Sequence, residues 1–152
     1  MTSTAELGVS ITGTRLIGGV FCVHLRGTFT QRGAEQGYRD LLDRCIASGS
    51  SLLLVDCRQV DGEPTFSERF EFGKFVAEVN IAAVHDGRTQ LVKFALLGSY
   101  PLIDPGRIGE VVAVNRGASV RVTTDPEEAV TWLGADPGEV LPHLAELAGP
   151  TD

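Results

Sequence analysis

Cys57, Ser67 and Ser99 are the potential nucleophiles that lie near the ends of expected elements. None of the three sits in a G-x-S-x-G or another recognisable nucleophile elbow. Cys57 is the most suggestive of the three: it neighbours Arg58 and an end of the fold toward which helix N-termini point, and both lower a thiol's pKa. The plainer reading is a reduced, semi-buried cysteine without such a role. An enzyme would need Cys57 or Ser99 within hydrogen-bond reach of a base such as His85. His24, His85 and His143 fall in a strand, a turn and the last segment, without metal-ligand spacing. No metal is expected, and His24 reads as a strand histidine with its hydrogen bonds met. With no G-x-G-x-x-G and no lysine-bearing phosphate loop, no cofactor is expected either.

Polar groups gather instead where apolar runs end. In LLLVDCRQVDG, the run Leu52, Leu53, Leu54, Val55 stops abruptly at Asp56, Cys57 and Arg58. An apolar run of this length between helical patterns fits a strand buried on both faces of a parallel sheet, and open α/β sheets place contacts at such strand ends. The segment GSYPLIDPGR adds Ser99, Tyr100, Asp104 and Arg107. Together with Asp61 these predict a polar rim around an apolar depression. The competing assignment gives Asp56 and Asp104 to caps and Tyr100 to packing.

The elements that must position these groups follow from periodicity and breakers. Residues 7–12 and 16–25 read as an antiparallel hairpin joined near 13–15, with Gly18 and Gly19 as an alternative bulge. A helix is expected over 32–47, with Tyr38, Leu41, Leu42, Cys45 and Ile46 as its apolar stripe. Its i,i+4 charge pairs support the helix and mark no site. Thr65 and Glu68 have capping-box spacing and start a second helix rich in phenylalanine. Phe66, Phe70 and Phe75 either line a cavity or fill the gap between helix and sheet. Residues 80–89 are ambiguous between helix and turn. A strand over 91–97 follows, then a third helix with Asp104 as N-cap and Pro105 at N1, facing Ile108, Val111 and Val112 inward. A strand over 118–122, a helix opened by Asp125 and Pro126, and a final segment bent at Pro142 complete the chain.

These elements predict an α/β domain with a mixed, mostly parallel five-stranded sheet, helices on its faces and an antiparallel N-terminal edge strand. The domain spans 1–152, with a core of about 7–134 and a helical cover over 135–149. At 152 residues and a formal net charge of −7, nucleic acid and anionic lipid are disfavoured as partners. The N-terminus shows no signal-peptide pattern and no apolar run spans a membrane, so a cytoplasmic chain without stable membrane insertion is expected. Cys22, Cys45 and Cys57 form no CxxC pair and read as reduced.

The stretches LLLVDCRQVDG, VKFALLGS and SVRVTTDPEEAVTWLG, in this order, resemble the SpoIIAA-like branch of the STAS superfamily over roughly residues 16–134. The resemblance implies a mixed sheet with helices and recognition of protein partners such as anti-sigma kinases; some related folds take small molecules or lipids. Asp56 matches the acidic residue that ends the central strand in the family's antagonists. Their following Asp-Ser-Ser-Gly element, whose serine is phosphorylated, is replaced here by VDGEPTFSER, leaving Ser67 or Thr65 as substitutes. The expected function is a non-catalytic regulatory domain that binds a protein through Asp56, Arg58, Asp61, Phe66, Ser67, Ser99, Tyr100, Asp104 and Arg107. The alternative is a carrier of a small apolar ligand or lipid in a cavity lined by Phe66, Phe70 and Phe75. A homodimer through a sheet edge or helix face is a further possibility.

Overall fold

The computed structural model describes residues 8–147. Strand β1 (Val9–Ile17) turns at Gly18–Gly19 into β2 (Val20–Thr28). Both glycines have positive φ, +58° and +80°, which side-chain-bearing residues resist and which matches the twist of a two-residue hairpin. The turn therefore lies here and not at 13–15. The register shift sits instead between Ile11 and Gly13. Leu7, the start of the first expected strand, lies outside the described residues.

Helix α1 (Gln31–Ala47) is capped by the Thr30 hydroxyl and leads to β3 (Leu52–Asp61). Helix α2 (Phe66–His85) opens with the full Thr65–Glu68 capping box and runs unbroken through the ambiguous stretch to His85. Next come β4 (Lys93–Leu97), α3 (Ile108–Asn115), β5 (Ser119–Thr123), α4 (Pro126–Leu133) and α5 (Pro137–Leu147).

Two expectations fail at helix ends. Helix α3 begins at Ile108 rather than Pro105, because Arg107 at its N-cap takes left-handed φ of 49°. Asp104 still serves it, accepting from the Ile108 amide at 3.1 Å. Val111 faces solvent, and Ala113 makes the buried contact expected of it. In α5, Pro142 does not break the helix. The hydrogen bond it forgoes belongs to the carbonyl of Gly138, an exposed residue that water can reach, while buried Val140 and Leu144 hold the helix down.

The sheet order is β1-β2-β3-β4-β5, with β1 antiparallel and the remaining pairs parallel. Because the order never reverses, the right-handed crossovers put α1, α2 and α3 on one face. No topological switch point, and hence no ready crevice of the doubly wound kind, forms at the strand ends. Helices α4 and α5 cover the opposite face. Side-chain alternation along β3 divides the core accordingly. Leu53, Val55 and Cys57 join Tyr38, Leu42, Val76 and Phe94, whereas Leu54 joins Cys22, Val130, Val140 and Leu144. Among the described residues, no helix is long and apolar enough to cross a membrane.

Candidate functional site

Asp56 ends the buried part of β3 on the face covered by α5. It is 6% exposed, and both its oxygens are engaged. Oδ1 accepts from Arg58 Nε at 2.9 Å and from the Arg58 amide at 3.1 Å. Oδ2 accepts from an Arg58 terminal nitrogen at 2.8 Å and pairs with His24 Nδ1 at 3.0 Å. Arg58 reaches onward to the Leu144 carbonyl of α5 at 2.8 Å, and His24 Nε2 lies 3.1 Å from His143 Nε2 of the same helix. The parallel register that sets His24 opposite Asp56 builds this network, and α5 closes it.

A carboxylate only accepts, so His24 Nδ1 donates to Asp56, and the two Nε2 atoms of His24 and His143 face each other at hydrogen-bond distance. Burial, with the neighbouring His24 and Arg15, holds His143 below its ordinary pKa of 6.5. The unfolded chain then binds a proton that the folded chain refuses, so this contribution to stability is whole above about pH 6.5 and declines as pH falls below it. We expect the urea midpoint to drop from pH 7 to 5.5. His143→Gln, which keeps a donor but does not titrate, should flatten that slope; an unchanged slope would contradict the assignment.

Asp56 and half-buried Arg58 thus join the central strand to α5. The sequence placed Asp56 at a binding rim, but its carboxylate is under a helix. Of the two readings of Cys57, the structure fits the plainer one, since burial pushes its thiol up to about 12, assisted by the Asp56 charge. Cys22 rises to about 12 and Cys45 to about 11 for the same first reason, burial. His85 ends the 20-residue α2, about 30 Å from its start along the axis. Ser99 follows the far end of β4, the strand that α2 leads into, so the length of that strand separates it from His85. Among the described residues, no group of three or more histidine, cysteine or acidic side chains could hold a metal ion.

The other predicted residues gather where the strands end and α1–α4 begin. Arg69, absent from the sequence expectation, organises this edge. From the second turn of α2 its guanidinium donates to the carbonyls of Leu102, at 2.5 Å, and Pro101, at 2.9 Å, and to Asp104 Oδ1 at 3.4 Å. The β4–α3 loop is thereby fixed against α2. Around that junction Phe66 is 65% exposed and Tyr100 is 62% exposed. Ser67, Ser99 and Asp61 are exposed as well. Arg107 pairs with Glu128 at 3.4 Å. Phe66 stacks on Phe70, with ring centroids 6.4 Å apart, and Arg116 lies 5.8 Å from the Phe70 ring. Exposed Val111 and Val114 continue the apolar character along α3.

An apolar cavity of about 440 Å³ also exists, beneath α1–α3. Its aromatic walls are Phe29, Tyr38, Phe72 and Phe94, not the expected Phe66, Phe70 and Phe75. Phe66 faces water and stacks on Phe70, and Phe75 lies under the Arg39 guanidinium at 5.2 Å. Periodicity explains the exchange: Phe72 shares the buried side of α2 with Gly73 and Val76.

With this geometry established, the chain can be set beside known structures. The crystal structure of an anti-sigma factor antagonist from Mycobacterium paratuberculosis superposes with a TM-score of 0.51, covering 88% of this chain and 99% of that one at 12% identity. The fold is that of an anti-sigma factor antagonist. The architecture implied by the STAS resemblance, a mixed sheet with one antiparallel edge, is thus present. No protein-family model matches the chain, and no curated protein does.

Proposed function

We propose that this chain is a non-catalytic regulatory domain that binds a protein partner, of the anti-sigma factor kind, where the first turns of α2 meet the β4–α3 loop. The observation that carries the reading is the exposure of Phe66 and Tyr100, two large aromatic side chains flanking a loop fixed by Arg69. Exposed aromatic side chains are enriched among the hot spots of protein interfaces. Likeness of fold to an anti-sigma factor antagonist supports the partner class. Asp61, Ser67, Ser99 and Arg107 supply a polar rim, and the net charge of −7 steers toward a basic surface. Asp56 and Arg58 act through the fold, as positioning residues for β3 and α5.

Control by phosphorylation fits Ser67 better than Thr65. A phosphate on Ser67 would stand in the first turn of α2, where the helix dipole favours negative charge. Thr65 caps the helix, its hydroxyl accepting from the Glu68 amide at 3.1 Å.

The test is titration calorimetry against the anti-sigma factors of the source organism. Phe66→Ala and Tyr100→Ala should each weaken binding about thirtyfold, the roughly 2 kcal/mol of a hot spot, with unfolding midpoints unchanged. Binding that ignores both substitutions would place the interface elsewhere.

A further inference from the structure

Small residues line the roof of the cavity: Gly33, Ala34 and Gly37 of α1 lie above the sheet, while the floor is built of large side chains such as Phe94 and Leu96. At Gly37 an added Cβ would meet nothing within 4 Å. The space is partly open to solvent, and its 440 Å³ lies within the range of small-molecule sites.

The charges at the margin of the cavity decide what it can hold. Each is already engaged inside the protein: Arg69 with the loop carbonyls and Asp104, Arg107 with Glu128, Asp40 with Arg44, and Glu68 with the Thr65 amide. A ligand carboxylate would have to displace the acceptors already held by Arg69 and Arg107, and an ammonium would have to compete with Arg44 for Asp40 or with the helix cap for Glu68. We infer that the cavity beneath α1–α3 binds an uncharged, largely hydrocarbon small molecule. The cavity shares its margin at Arg69, Asp104 and Arg107 with the Phe66–Tyr100 surface, but neither aromatic lines it, and the inference does not rest on the partner reading.

The test uses the full chain and the neutral fluorophore N-phenyl-1-naphthylamine, with its anionic relative 8-anilinonaphthalene-1-sulfonate as comparison. The neutral probe should bind saturably, one per chain, and at least about tenfold tighter than the sulfonate. Gly37→Phe, which places a ring in the open space, should weaken the neutral probe by about tenfold or more while keeping the cooperative unfolding of the parent. Should that variant fail to fold, Ala34→Met, a flexible filler of the same wall, takes its place with the same expected loss. Phe66→Ala should leave probe binding intact, so that failure here and failure of the partner surface are told apart. Absence of saturable binding, equal affinity for both probes, or full affinity in a folded cavity-filling variant would each overturn the inference.

Discussion

Asp56→Ala should cost about 3 kcal/mol of stability, the low end of the range for removing one partner of a buried ion pair, because Arg58 keeps 20% of its side chain exposed. The substitution strands two groups. Arg58 loses both carboxylate oxygens and keeps only the Leu144 carbonyl of α5, and His24 loses the carboxylate that orients its ring. Asp56→Asn should cost less, since one oxygen still accepts. The pH dependence has a definite sign. Burial alone would raise the Asp56 pKa, but hydrogen bonds from Arg58 and His24, with the Arg58 charge, outweigh it and hold the group far below its ordinary 3.8. A carboxyl depressed by folding stabilises the protein above its unfolded pKa and loses that contribution as pH falls below about 3.8. Urea titrations at pH 7 and pH 3 measure both effects. A loss under about 1 kcal/mol, the scale of an exposed pair, would show that the network does not hold α5.

Gly73→Leu is expected to be the second severe change, with a cost of about 2–3 kcal/mol from overpacking. A Cβ at this position would lie 2.5 Å from the Gly109 carbonyl oxygen and 3.0 Å from Val112 Cβ, both on α3. The obstacle is partly backbone, so relief requires α3 to move away from α2. Removing a helical glycine gains only about 1 kcal/mol in propensity, too little to offset the clash. Displacement of α3 would also disturb the loop that Arg69 ties to α2 and one wall of the cavity. Unfolding midpoints should fall for Gly73→Leu and, less steeply, for Gly73→Ala. A Gly73→Leu protein as stable as the parent would mean that the close α2–α3 contact is not needed.

Local signals carried most of the fold. The apolar run before Asp56 announced the central strand, and the Thr65–Glu68 pair announced α2, because both depend on neighbours in sequence. The hairpin turn was misplaced because two glycines near a strand suit a bulge as well as a turn, and only the pairing partner decides. Pro142 misled for a similar reason: whether proline breaks a helix depends on whether the orphaned carbonyl meets water. The site was less legible. His24 and His143 stand 119 residues apart, so nothing local joins them. Arg69 resembled any surface arginine of an amphipathic helix until the loop it fastens was in place. An apolar cavity beside the phenylalanine-rich helix was among the expectations, but its walls were misassigned to Phe66, Phe70 and Phe75, because the small α1 residues Gly33, Ala34 and Gly37 that roof it draw less attention than phenylalanines.

The most direct test of the partner-binding surface is photo-crosslinking in the source cells, with a photoreactive phenylalanine placed singly at Phe66, at Tyr100 and at Gly19 in the distant hairpin turn. The account predicts one and the same protein adduct from positions 66 and 100, identified by mass spectrometry as an anti-sigma factor, and none from 19. Adducts from position 19 alone, or the same adducts from all three positions, would contradict it.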